Sequence, residues 1–255
     1  MLSLTTTSPS LSLKQELAEA LEERKRRRDT NRISALYPAS GPFRRELYAK
    51  HMEFFWLGET VQERCFMAAN RVGKTWGAGG YETALHLTGN YPDWWQGRRF
   101  DRAVDIWAAG DTSETTRDIV QLALLGPQGA FGTGLLPAAS IVGEPSHRAG
   151  VPGAVDTARI KHISGGNSQL GFKSFDQGRR KFQGTAKHVI WLDEEPPGDV
   201  YSECMLRLMT TDGLMLVTFT PLMGLSEVAL MFLPDMAPSI NEGLQVVEKW
   251  SADGL

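Results

Sequence analysis

Two short stretches carry side chains whose types and spacing can do chemistry. The first is MAANRVGKTW, residues 67–76, which ends its loop-like part in Gly73-Lys74-Thr75; the second is VIWLDEE, where four apolar residues run into Asp193, Glu194 and Glu195. A glycine, a lysine and a hydroxyl in that order suit a phosphate. The glycine lets backbone N–H groups approach, the ammonium reaches the outer phosphates, and the hydroxyl can ligate Mg²⁺. Such loops usually open with a glycine five positions before Gly73, where this chain has Ala68. A small residue there is compatible with the loop, because the phosphate contacts come from the later amides and Lys74. The predicted nucleotide-binding set is Ala69, Asn70, Arg71, Val72, Gly73, Lys74, Thr75 and Trp76. Arg71 has two readings: a guanidinium that stabilises charge near the terminal phosphate, or a surface arginine that points away.

A hydrolytic site built on such a loop needs a carboxylate at the end of a neighbouring strand to hold Mg²⁺, and a base to polarise the attacking water. Asp193 is predicted as the metal carboxylate beside Thr75, and Glu194 as the base, with Glu195 able to share either role. On its own the triplet reads as a solvated acidic turn; following a buried strand, and paired with Lys74, it reads as chemistry. A third segment, LVTFTPLMG, ends a strand in Thr218 and Thr220, whose hydroxyls are placed to sense a phosphate.

The elements needed to hold these residues are legible as alternating patterns. Residues 44–57 read as a helix stopped at Gly58, RCFMAAN as a buried strand, and GKTWGAGGYETALHL as the helix after the loop. AVDIWAAG reads as a strand, TSETTRDIVQLALLG as a helix with a Thr or Ser cap, and ARIKHIS with SQLGFKSF as two strands about a Gly-Gly-Asn turn. HVIWLDEE and GLMLVTFTP complete the strands. Residues 127–157, rich in Gly, Pro and Ala, give no regular pattern. Strands alternating with helices predict an α/β fold with a mostly parallel central sheet flanked by helices. Upstream, Leu13, Leu17 and Leu21 form one stripe of an N-terminal helical arm over 1–34 that ends in ERKRRR.

Composition narrows the function classes. The chain has 255 residues, and 27 Lys+Arg against 30 Asp+Glu leave a net charge of −3, so any nucleic-acid contact must come from local clusters. Those clusters are Arg24 to Arg28, Arg44-Arg45, Arg98-Arg99 with Arg102, and Arg179-Arg180-Lys181. Cys65 and Cys204 are the only cysteines, and the five histidines lack metal-ligand spacing, which argues against a disulfide framework or a zinc site and fits a reducing compartment. No apolar run is long enough for a membrane span, and the N-terminus lacks the pattern of a secretory signal. Trp94-Trp95 beside Arg98-Arg99 can be read as a stacking platform for single strands or as a packed loop.

The succession NRVGKT, VIWLDEEPP and VTFTPLMG, together with HLTGNYPDWWQGRRF, KSFDQGRRKFQGTAKH and ECMLRLMTTDGL, resembles the ATPase half of the large terminase subunit of tailed bacteriophages. The resemblance covers about residues 35–235. It implies a P-loop NTPase of the additional-strand, conserved-glutamate type, with ATP and Mg²⁺ as cofactors, and it matches Arg71, Asp193, Glu194 and the coupling residue Thr220. It implies adenine contacts from the segment before the loop, Tyr37-Pro38 and His51 to Phe55, although Phe54 and Phe55 also read as helix core. It further implies a homo-oligomeric ring, a pentamer, working on double-stranded DNA with a portal protein and a small terminase subunit. Its place would be the host cytoplasm, transiently on the procapsid. Arg179, Arg180 and Arg148 are the candidates for an arginine offered to a neighbouring subunit's nucleotide. Residues 35–235 are the expected ATPase domain, and 236–255 the start of a lid or linker. No room is left for the nuclease domain that usually follows, so nuclease activity is not expected. The alternatives are another P-loop nucleic-acid motor, such as a helicase-like ATPase, or a catalytically silent nucleotide-binding module.

Overall fold

A computed structural model describes residues 14–20, 22, 31–221, 224, 226–233 and 244–246. Of the expected N-terminal arm, residues 14–20 and 22 are helical; Arg24 to Arg28 lie outside the described residues, as does most of the 236–255 segment.

Eight strands form one sheet among the described residues. They are β1 (Glu63–Met67), β2 (Asp105–Gly110), β3 (Ser146–His147), β4 (Val155–Lys161), β5 (Asn167–Ser174), β6 (Val189–Asp193), β7 (Leu214–Phe219) and β8 (Leu244–Val246). Their order is β3-β4-β5-β2-β6-β7-β1-β8. From β5 to β8 every pairing is parallel, whereas β3 and β4 join antiparallel. The expected hairpin of β4 and β5 is present, its turn closed by His162 N–H to Gly166 O at 2.9 Å and Gly165 N–H to His162 O at 3.0 Å.

The central strands read as continuous apolar runs because both faces of a parallel sheet are covered. Side chains alternate along them: Val189 and Trp191 of β6 and Leu214 and Leu216 of β7 enter one core, with Phe54, Tyr81 and Leu85. Ile190, Leu192, Met215, Val217 and Phe219 enter the other, with Val200, Cys204 and Phe232. The first core lies under the helices Ala49–Leu57 and Tyr81–Thr88, the second under Gly198–Leu208 and Glu227–Met231. The region that gave no pattern, 127–157, folds as turns, a single 3-10 turn at Ala138–Ser140, the two residues of β3 and the start of β4. Both cysteines are free and buried, and no helix among the described residues is long and apolar enough to cross a membrane.

β7 lies between β1, which feeds the glycine-lysine-threonine loop, and β6, which ends in the acidic residues. That inserted strand is what the additional-strand type of P-loop fold has. Because β1, β7 and β6 are parallel, their carboxyl ends share one rim, where ligands of open α/β sheets bind.

Candidate nucleotide site

The loop leaves β1 at Ala68, whose N–H still donates to Phe219 O of β7 at 3.2 Å. It re-enters helix at Gly73, where φ is 88°. Only glycine adopts that conformation freely, and a Cβ there would also meet the His51 ring at 3.1 Å. The first turns of the helix, Lys74–Gly80, are wound as a π-helix, seen in Ala78 N–H donating to Gly73 O at 3.0 Å. No side chain caps this end. The N–H groups of the first turn therefore face the rim with the positive end of the helix dipole, the arrangement that receives an anion.

Side chains from three strand ends meet here. The Lys74 ammonium donates to Ala69 O at 2.8 Å, Ala68 O at 3.1 Å and the Thr220 hydroxyl at 2.7 Å. Thr220, just past β7, in turn approaches Ala68 O at 2.9 Å and Asn70 Oδ1 at 3.0 Å. The Thr75 hydroxyl lies 3.1 and 3.0 Å from the two carboxylate oxygens of Asp193. Burial lowers the Lys74 pKa, against the pull of Glu194 and Asp193. Burial also pushes the Asp193 carboxyl up to about 7, although hydrogen bonds from Thr218 and Thr75 act the other way.

Glu194 follows β6 with φ 89°, on the side of the map that non-glycine residues rarely occupy. Its N–H is tied to Thr218 O at 2.9 Å, which holds the turn and leaves the carboxylate exposed on the rim. Partial desolvation raises its pKa, Lys74 lowers it, and Asp111 adds a smaller upward push. Glu195 points elsewhere, accepting a hydrogen bond from Ser226. Arg71, φ 67°, is exposed.

Beside the loop lies a cavity of about 880 Å³, lined among others by Tyr37, Tyr48, His51, Arg71, Val72 and Trp76. Tyr37 donates to Gly77 O at 2.8 Å and lies 2.7 Å from His51 Nδ1, so the segment before the loop is bonded to the helix after it. Phe54 and Phe55, by contrast, are fully buried and belong to the core. Trp95 is core as well, and Trp94 stacks on Tyr81 with ring centroids 6.3 Å apart; this is the packed loop, not a stacking platform.

The three candidate trans arginines stand differently. Arg148 is engaged within its own chain, with Ser113, Ser174 and Phe172 O as partners. Arg179 pairs with Glu203 at 2.9 Å. Arg180 is exposed in the turn Arg179–Phe182, which the buried Phe182 anchors between Trp107 and Phe175.

Sequence reasoning missed two groups. One is the Trp191 indole behind Asp193; Thr218, expected to sense a phosphate, is instead buried there and bonds Asp193 Oδ1 at 2.7 Å. The other is a fully buried cluster in which Arg64 of β1 pairs with Glu82 at 2.6 Å and His86 lies 3.2 Å from the same carboxylate. A hint existed for each: the Gly-rich GAGG in a helix signals close packing, and an arginine inside an apolar strand needs a partner.

Strand order and loop together define a P-loop NTPase fold of the additional-strand type. Comparison with known proteins narrows this: residues 65–241 match the family described as terminase large subunit, T4likevirus-type, N-terminal. The chain is 35% identical over 244 residues to the terminase large subunit of Salmonella phage P22, in an alignment that takes in 88% of this chain and 47% of that one. It belongs to the terminase large subunit family. Among solved structures it is similar to the large terminase of a thermophilic bacteriophage in complex with ADP. That likeness has a TM-score of 0.54 and 15% identity over 80% of this chain and 44% of the other, and it bears on fold alone. The chain spans about half the length of these relatives.

Proposed function

We propose that this chain is the ATP-hydrolysing motor subunit that drives double-stranded viral DNA into a procapsid. The observation that carries the reading is the meeting of Lys74, Thr75, Asp193 and Thr220 from three parallel strand ends at one helix N-terminus. The donor set fits a nucleoside triphosphate with Mg²⁺. An uncapped helix end and an ammonium suit the phosphates, and two oxygen donors 3.0 Å apart suit a hard cation. Held by Thr75 and Asp193, Mg²⁺ would supply positive charge against that developing on the phosphates.

In this reading the amides of Val72 to Trp76 and the Lys74 ammonium hold the phosphates, with Ala69, Asn70 and Arg71 closing the loop over them. Thr75 and Asp193 hold the cation. Glu194 takes the proton of the attacking water, a task suited to a raised carboxylate pKa. Arg71 stabilises charge on the terminal phosphate. The cavity beside the loop takes the base, with Tyr37 and His51 on its wall. Thr220 couples hydrolysis to movement of β7. Residues 35–235 form the ATPase domain, and the working assembly is a ring, a pentamer, that contacts the portal, the small subunit and the DNA backbone in the host cytoplasm. Of the candidate arginines, Arg180 is the one exposed without a carboxylate among its described contacts, and it is the arginine we assign to the neighbour's site.

The test is Mg²⁺-dependent ATP turnover over a wide range of chain concentration. Turnover per subunit that rises with concentration, and falls about 10²–10⁴-fold in Glu194→Gln while nucleotide still binds, supports the reading. Mixing Arg180→Ala with Glu194→Gln chains then restores part of the turnover, because each lacks what the other supplies. Binding without turnover at any concentration favours the silent module instead, and a Glu194→Gln chain as active as the parent overturns the assignment of the base.

A further inference from the structure

Behind the Asp193 carboxylate stand two side chains whose hydrogen-bonding capacities leave one arrangement. The Trp191 indole is fully buried, and its Nε1 lies 2.9 Å from the Thr218 hydroxyl. An indole N–H only donates, so Thr218 must accept. The single hydroxyl hydrogen of Thr218 is then free for one acceptor, and Asp193 Oδ1 lies 2.7 Å away. Thr218 and Asp193 are themselves 1% and 3% exposed, so water does not compete for these bonds. Thr75 on the rim lies 3.1 Å from Oδ1 and 3.0 Å from Oδ2, so the bond from Thr218 pins the carboxylate from behind while both oxygens keep their edge toward Thr75. The indole is also seated against the helix after the phosphate loop: a Cβ built on Gly79 would lie 2.1 Å from Trp191 Nε1.

We propose that Trp191 and Thr218 are positioning residues, a directional relay that fixes the orientation of the Asp193 carboxylate toward the cation, and that Gly79 keeps the relay in register with the phosphate-loop helix. The inference rests on the reading of Asp193 as the cation carboxylate. The relay touches neither nucleotide nor cation; it acts through the carboxylate alone. Its loss therefore loosens the cation while leaving metal-free nucleotide binding intact.

The experiment uses the whole chain, with Mn²⁺ and ADP as probes. Mn²⁺ affinity in the presence of ADP is read from the electron paramagnetic resonance of the free ion, and ADP affinity without metal is measured alongside. Thr218→Val is expected to weaken Mn²⁺ binding about tenfold or more, and Thr218→Ser to stay within about twofold of the parent, as outer partners of a metal ligand do. Metal-free ADP binding does not change. Trp191→Phe and Gly79→Ala, which remove or displace the indole N–H, weaken Mn²⁺ in the same sense. They decide the matter if Thr218→Val does not fold, as judged by its thermal unfolding. In turnover the same variants lower kcat with KM for ATP little altered. A folded Thr218→Val that binds Mn²⁺ like the parent, or a Thr218→Ser as impaired as the valine, overturns the relay. A parent chain that binds Mn²⁺ with ADP yet never turns over ATP defeats the motor reading while the binding series still decides the relay. A parent with no metal-dependent binding overturns both.

Discussion

Tyr37, Arg71, Glu194 and Asp212 are the described non-glycine residues with positive φ, and the first three stand around the loop and its cavity. A left-handed backbone at such residues costs on the order of 1 kcal/mol or more, and it persists where surrounding bonds over-determine it. Here those bonds are Glu194 N–H to Thr218 O and the Tyr37 hydroxyl to Gly77 O. His51, bonded to Tyr37 and buried, has its pKa lowered from 6.5 to about 4, with burial as the largest cause. Between those values the unfolded chain carries a proton that the folded chain does not. This contribution to stability is present above 6.5 and is lost as pH falls toward 4, by roughly 3 kcal/mol in all. His51→Gln is expected to flatten that part of the profile, read as the difference in urea midpoint between parent and variant near pH 7 and pH 4.5. At this scale Lys74, Thr75, Asp193 and Glu194 were legible because their order along the chain is itself the chemical signal. Trp191 was not, since an indole in an apolar strand reads as core, and Thr218 read as a phosphate sensor because its place between Trp191 and Asp193 is set by a neighbouring strand.

Among the elements, the strand before the loop and the helix after it are riveted by one ion pair. Arg64 and Glu82 are both without solvent exposure, and the Arg64 guanidinium also reaches the carbonyl of Phe54 in the helix Ala49–Leu57. Burial works against the Glu82 carboxylate, but Arg64 and His86 outweigh it and hold its pKa below the usual range. Breaking such a pair leaves a charge stranded in the core. Arg64→Met or Glu82→Gln alone is expected to destabilise by about 3–5 kcal/mol, and Arg64→Met with Glu82→Leu to recover most of that, in equilibrium urea unfolding. The strands and helices were readable from apolar runs punctuated by Gly and Pro. Their order in the sheet was not readable from the residues, because pairing β7 between β1 and β6 is decided by contacts far apart in sequence. The stretch 127–157 gave nothing, since its Gly and Pro build turns whose only periodicity is local.

At the scale of the whole molecule, parallel strands give the sheet two unlike rims. One gathers Gly73, Lys74, Asp193 and Thr220, and the turn with Arg180 follows β5 on the same side. The other carries the amino ends of β2, β5 and β6, with the hairpin turn 162–166 at its edge. Ile163 in that turn is 71% exposed, and both natural thiols are buried. This gives the chain a handle. Ile163→Cys should take one maleimide dye per folded chain, counted by mass spectrometry, while ATP turnover stays at the parent level. A second dye would show that Cys65 or Cys204 opens to solvent. The same thiol would tether the chain to a glass surface with the rim of Lys74 and Asp193 facing outward, so that single chains can be watched from the bench side without touching that rim.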